Sequence, residues 1–209
     1  MTEIWLVRHG QTDGNLHNIV QGQMDIPLNE TGEAQARTLA DQLADVTFAA
    51  IYSSDLSRAM QTASIIASKK GLTVVPDPRL REIRQGIWEG LPFEQVLQIH
   101  QPDFSPNPFY VTNPRAEGAE SLAEVVARMV DAANEYHARH PGERVLIRVL
   151  KTSLGKGHKT SGGIDSRICK KISDRNNDLS NPNIISVTSC YAQVDNHAGL
   201  CSRPEPCCK

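Results

Sequence analysis

No cysteine occurs in the first 147 residues of this 209-residue chain, and lysine occurs there only as Lys69 and Lys70. The last 62 residues hold Cys169, Cys190, Cys201, Cys207 and Cys208 together with six lysines. Charge divides at the same place: 12 Lys and Arg against 19 Asp and Glu up to Ile147, a net of −7, then 10 against 5 beyond it, a net of +5. Zinc-ligand spacing is absent, since Cys207 and Cys208 are adjacent and the other cysteines are scattered. No apolar run is long enough to cross a membrane, and the start MTEIWLVRHG has no basic n-region, long apolar core or small-residue cleavage site; a mature, cytoplasmic chain is expected. Overall there is no positive excess, the net charge being −2, which argues against a nucleic-acid or membrane partner. An acidic small substrate stays open, because it needs only a local cluster of cations. A phosphate loop is lacking too: Gly155-Lys156-Gly157-His158-Lys159-Thr160 does not have the G-x-x-x-x-G-K-[ST] spacing.

What is present reads as one domain over residues 1–147 followed by an atypical tail, 148–209. A first strand, Ile4 to Val7, ends at Arg8-His9-Gly10. A loop to Glu30 follows, then a helix from about Thr31, taken as its N-cap, to about Ala44, with Ala36, Leu39, Ala40 and Leu43 on one face. A second strand, Phe48 to Tyr52, leads through Ser53-Ser54-Asp55, any of which can cap, into a helix from Leu56 to Lys70 that stops at Gly71. Leu72 to Val75 is a third strand. A short helix is expected near Phe93 to Ile99 with Pro92 in its first turn, and the prolines from Pro102 to Pro114 require a loop. Ser121 and Glu124 form a capping box for the helix carrying Leu122, Val125, Val126, Met129, Val130 and Ala133, and Arg144 to Ile147 begins a fourth strand. Strands alternating with helices predict an open, mostly parallel α/β sheet with helices on both faces, its ligand site beyond the carboxyl ends of the strands. Arg8-His9 and the segment Ser53 to Arg58 both lie at such ends.

A strand ending in Arg8, His9 and Gly10 suits a phosphate site: a fixed cation, a nucleophilic imidazole and a residue that lets backbone approach a ligand. Three further stretches extend the pattern: QGQMDIPLNETGEAQA at 21–36, SSDLSRAMQTA at 53–63 and LREIRQGIWEG at 80–90. With LVRHGQT at 6–12, these resemble the histidine phosphatase superfamily, also called phosphoglycerate mutase-like, over about residues 3–147. The resemblance implies a phosphomonoesterase acting on a small phosphorylated metabolite, without cofactor or metal and through a phosphohistidine. By that resemblance His9 is the nucleophile, Arg8 and Arg58 clamp the phosphoryl oxygens, and Glu82 protonates the leaving oxygen before activating water. A carboxyl beside a dianionic phosphate holds its proton more tightly by like-charge repulsion, which suits that role. Gly10, Asn15, Gln21 and Gly22 are candidates to line the phosphate and substrate mouth. Glu89 rivals Glu82, whose other reading is an ion pair with Arg81 or Arg84; His17, His100, His137 and His140 read as surface histidines.

The acid loop LREIRQGIWEG favours phosphatase over mutase, since mutases of this superfamily resemble N-E-R-H-Y-G there and carry insertions for which this chain is short. Mutase-type phosphoryl transfer is the same-fold alternative. The family's second histidine should follow the fourth strand in a motif like V-S-H-G, but this chain reads Arg148-Val149-Leu150-Lys151, with Leu150 about where it belongs. Its loss is worth on the order of 3 kcal/mol, or about 100-fold in rate, by analogy with an oxyanion donor. A catalytically crippled, phosphate-binding protein is therefore the competing reading. The coincident breaks in Cys, Lys, charge and motif predict a frameshifted or otherwise replaced carboxyl terminus after about Ile147, poorly ordered and without the strands that should finish the sheet. His158 in the Gly/Lys-rich stretch is a poor substitute for the missing histidine. A genuine interaction tail is the remaining reading.

Overall fold

In the computed structural model, residues 2–99 and 116–148 are described in full and 184–188 as backbone. The strands are β1 (Glu3–Val7), β2 (Ala50–Ser53), β3 (Val74–Pro76), β4 (Arg144–Arg148) and β5 (Ile184–Thr188). They lie in the order β3-β2-β4-β1-β5, with the first four parallel and β5 antiparallel to β1. The parallel sheet expected from strand–helix alternation is thus present. One expectation is corrected: the run Ile184 to Thr188 pairs along the free edge of β1, from Glu3 opposite Thr188 to Val7 opposite Ile184. The run is rich in β-branched residues, and the otherwise unpaired amides and carbonyls of β1 are the template for it. The remaining tail, with Leu150 and His158, and also His100 and the loop Pro102 to Pro114, lies outside the described residues.

Helices α1 (Asp13–Leu16), α2 (Glu30–Gln42), α3 (Ser57–Lys70), α4 (Phe93–Ile99) and α5 (Leu122–Arg139) complete the order of elements. Alternation along the strands divides the core. Trp5, Val7, Ile51 and Leu146 meet Leu39, Ala40 and Leu43 of α2 and Ala63, Ile66 and Ala67 of α3 on one face. Ile4, Tyr52, Val145 and Ile147 meet Ala132 and Tyr136 of α5 on the other. Helices therefore cover both faces, as the pattern required.

The helix ends show where local signals sufficed. Gly71 closes α3 in the left-handed region (φ 63°), and Ser121 with Glu124 caps α5 in a capping box. By contrast α2 is capped by Asn29, whose side chain accepts from Gly32, so Thr31 lies inside the helix. Helix α3 has no side-chain cap at Leu56; Asp25 supplies it from the loop, accepting from the Ser57 amide at 2.6 Å and its hydroxyl at 2.8 Å. Asp55, one of the expected caps, pairs with Arg81 instead.

Under the α5 face a polar knot ties the sheet to that helix. Asp77 accepts from Arg79 Nη2 at 2.7 Å and from the Tyr136 hydroxyl at 2.6 Å, its amide donates to the Ser53 carbonyl at 2.7 Å, and Tyr136 stacks on Tyr52 at 3.8 Å. Burial pushes the Asp77 carboxyl up, but the hydrogen bonds from Arg79 and Tyr136 outweigh it and hold the group below its ordinary value. Its stabilisation is therefore present above the unfolded carboxylate range and lost as pH falls through the lowered folded value. Tyr136→Phe is expected to cost about 1–2 kcal/mol at pH 7, read from urea midpoints, with the gap to wild type closing in acid. A gap independent of pH down to about 2 would contradict this account.

Candidate active site

Because β1, β2 and β4 are parallel, their carboxyl ends form one rim, with Val7, Ser53 and Arg148 level with one another in the register. His9 lies just beyond that rim and is 8 % exposed. Its Nδ1 is 2.7 Å from the Gly10 carbonyl oxygen. A carbonyl only accepts, so Nδ1 carries the proton and Nε2 keeps its lone pair. Burial is the main cause that holds His9 well below the usual histidine value; Arg148 adds to it, the Gly10 bond opposes it, and Arg58 and Arg8 lower it further. The imidazole is neutral at pH 7, with a lone pair available on Nε2.

Arginines surround it. Arg58, on the first turn of α3 and 1 % exposed, donates from Nη1 to the Met24 carbonyl at 2.7 Å and from Nη2 to the Gly22 carbonyl at 2.8 Å, and its buried Nε has no hydrogen-bond partner among the described residues. Burial lowers its pKa, while Glu82, then Asp25 and Glu89, raise it. Arg8 is half-buried, and its Nε is likewise buried and unpartnered among the described residues. Arg148, closing β4, is 1 % exposed with Nε and Nη1 both in that condition. It was not foreseen as a site residue. The signal was available in the strand RVLIR, where a charged residue ends a run that the parallel sheet buries completely.

Glu82 shares this environment, since its charge supports both Arg58 and Arg148. Its backbone carbonyl accepts from Gln23 Nε2 at 2.9 Å and Arg128 Nη2 at 3.2 Å, which fixes the loop that carries it. The rival Glu89, whose charge also supports Arg58, has its Oε1 accepting from the Gln23 and Gln85 amides, both at 2.9 Å, beside Gly22. Arg81 pairs with Asp55, and the Arg84 amide donates to Glu120 at 2.8 Å.

The expected lining residues act mainly on the scaffold. Asn15 forms a capping box with Thr12 on α1, a helix absent from the expected loop. Gln21 Oε1 accepts from the Thr12 hydroxyl at 2.9 Å. Gly22, in the left-handed region (φ 49°), offers the carbonyl that anchors Arg58, and a Cβ there would collide with Glu89. Gly10 packs against α2: a Cβ there would lie 2.7 Å from the Gly32 Cα, and its amide donates to Thr62 Oγ1 at 3.3 Å. Among the histidines read as superficial, His17 is exposed, but His140 is not: its Nε2 lies 2.8 Å from the Tyr52 hydroxyl and its Nδ1 2.9 Å from Glu143, and His137 is half-buried.

A parallel α/β sheet whose strand ends hold a buried, neutral histidine among arginines, with Glu82 close by, defines a candidate phosphoryl-handling protein. The model of the histidine phosphatase superfamily (branch 1) matches residues 4–149, and the chain belongs to that family. It is 34% identical over 180 residues to "Probable phosphoglycerate mutase GpmB" of Yersinia pestis, covering 86% of this chain and 84% of that protein. Among solved structures, YhfR of Bacillus stearothermophilus is 34% identical with a TM-score of 0.66, over 73% of this chain and 75% of that one. A mycobacterial glucosyl-3-phosphoglycerate phosphatase is 31% identical with a TM-score of 0.65, over 72% and 75%. Mutases and phosphatases thus both stand among its relatives. No helix of the described residues is long and apolar enough to cross a membrane.

Proposed function

We propose that the chain is a phosphomonoester hydrolase that passes the phosphoryl group of a small phosphorylated metabolite through His9. The observation that carries this reading is the tautomer: Nδ1–H held by the Gly10 carbonyl leaves Nε2 unprotonated in a site lined by guanidinium groups. In the first step an Nε2–P bond forms as the ester P–O bond breaks, Arg8 and Arg58 neutralise the phosphoryl oxygens, and Glu82 gives its proton to the leaving oxygen. In the second, Glu82 takes a proton from water, whose oxygen attacks phosphorus and restores His9. Asn15, Gln21 and Gly22 hold the mouth of the site, the last by fixing Arg58. The segment after Ile147 is read as a replaced or out-of-frame terminus, and loss of the second histidine makes turnover slow.

The test is rapid quenching of the purified chain with 32P-labelled phosphomonoesters. Phosphate on the protein that is stable in base and lost in acid is the expected result; phosphate release with no labelled protein at any time would overturn it. The mutase alternative draws on the mutase name among the relatives and against the acid loop LREIRQGIWEG. Incubation with 3-phosphoglycerate and 2,3-bisphosphoglycerate separates the two, net phosphate release supporting the hydrolase and isomerisation without it the mutase.

A further inference from the structure

β4 ends in a residue that the family resemblance did not anticipate. Arg148 lies level with Val7 of β1 and Ser53 of β2, so it closes the rim from which Arg8 and His9 emerge. Leu146, two residues earlier on the same strand, faces the α2 and α3 side of the sheet, and alternation carries Arg148 to that side, where α3 brings Arg58. The side chain is almost wholly buried, yet neither Nε nor Nη1 has a hydrogen-bond partner among the described residues. A buried guanidinium without acceptors is costly, and an anion seated beside it would accept from it and offset that cost. Its neighbours agree: Arg58 and Arg8 press its pKa down and Glu82 supports it, with burial the largest cause, giving a value of about 9 that leaves it cationic at pH 7. Arg148 is also the leading charge acting on His9. Glu82 is the carboxylate acting on Arg148, while Asp25 and Glu89 act on Arg58; the guanidinium forks of Arg8, Arg58 and Arg148 match phosphoryl oxygens.

We propose that Arg148 is a phosphoryl-binding residue of this site, a third guanidinium on the rim that contacts the phosphoryl oxygens from β4, the strand after which the family's second histidine is missing. The proposal rests on the reading that the site holds a phosphoryl group. It adds that product phosphate is held tightly, because the contact persists after transfer.

The test uses the full chain and inorganic phosphate, titrated calorimetrically into wild type, Arg148→Met and Arg148→Lys at one ionic strength. Arg148→Met is expected to weaken phosphate binding roughly 10- to 100-fold, with Arg148→Lys between the two. His9 reports whether Arg148 acts at the site through its charge: its NMR titration midpoint should rise in Arg148→Met and stay low in Arg148→Lys, while the phosphate affinities decide whether that charge meets the anion. Equal phosphate affinity in wild type and Arg148→Met overturns the proposal. If phosphoenzyme still forms in that case, the hydrolase reading survives alone. If wild type neither binds phosphate nor forms phosphoenzyme, both fall.

Discussion

His9→Ala is expected to abolish the acid-labile phosphoryl label and lower ester hydrolysis on the order of 10⁴-fold or more, since the remaining groups can bind the phosphoryl oxygens but cannot form the P–N bond. The same residue gives a pH prediction with a definite sign. Burial, then Arg148, disfavours the imidazolium, so His9 takes up its proton only well below the ordinary histidine value. In the free protein its ring resonances, assigned by their absence from His9→Ala, should not move between pH 8 and 6.5. A midpoint at 6.5 or above would show that burial and the arginines do not act on the ring as the geometry requires. For folding, the sign follows from proton uptake: below about pH 6.5 the unfolded chain protonates His9 while the folded chain does not, so this residue's contribution to stability declines as pH falls through that window. Phosphate, by neutralising the guanidinium groups, should narrow the window, and thermal melts with and without it will read this.

Features governed by a few adjacent residues were legible in the sequence. The capping box at Ser121 and Glu124, the left-handed stop at Gly71 and the strand ending at Arg8-His9 each depend on local chemistry, and all stand where the pattern put them. Features that depend on a distant partner were not. Asp25 caps α3 from more than 30 residues away, so the local candidates Ser53, Ser54 and Asp55 drew attention from it. Glu82 and Glu89 are alike in sequence, and only the fold shows that the Gln23 and Gln85 amides reach Glu89 while the Ile83 amide reaches Glu82 at 3.3 Å. Asn15 and Gln21 are polar residues beside a phosphate motif, but Thr12 engages both. Arg148 stands in no motif, and only the sheet register brings this last residue of β4 level with Val7 and Ser53 at the rim.

Gly32→Ala is expected to destabilise the protein by about 2–4 kcal/mol, although helix propensity alone favours alanine inside α2 by up to about 1 kcal/mol. A Cβ on Gly32 would lie 2.7 Å from the Gln11 amide nitrogen and closer still to its carbonyl oxygen. Both obstacles are backbone, so no rotamer change relieves them, and the start of α2 must move. That start is tied to the strand end: the Asn29 amide donates to the Gln11 carbonyl at 3.1 Å, and the Gln11 amide donates to Gln35 Oε1 at 2.9 Å. Gln11 is two residues from His9, so displacement of α2 reaches the Gly10 carbonyl that holds the imidazole, and phosphoenzyme formation should fall with stability. Gly71→Ala is the control, because nothing lies within 4 Å of a Cβ there and its cost is limited to the left-handed backbone, about 1 kcal/mol. Urea midpoints of the two variants decide the matter. If Gly32→Ala is as stable as wild type, the close approach of α2 to the strand end is not what holds the histidine in place.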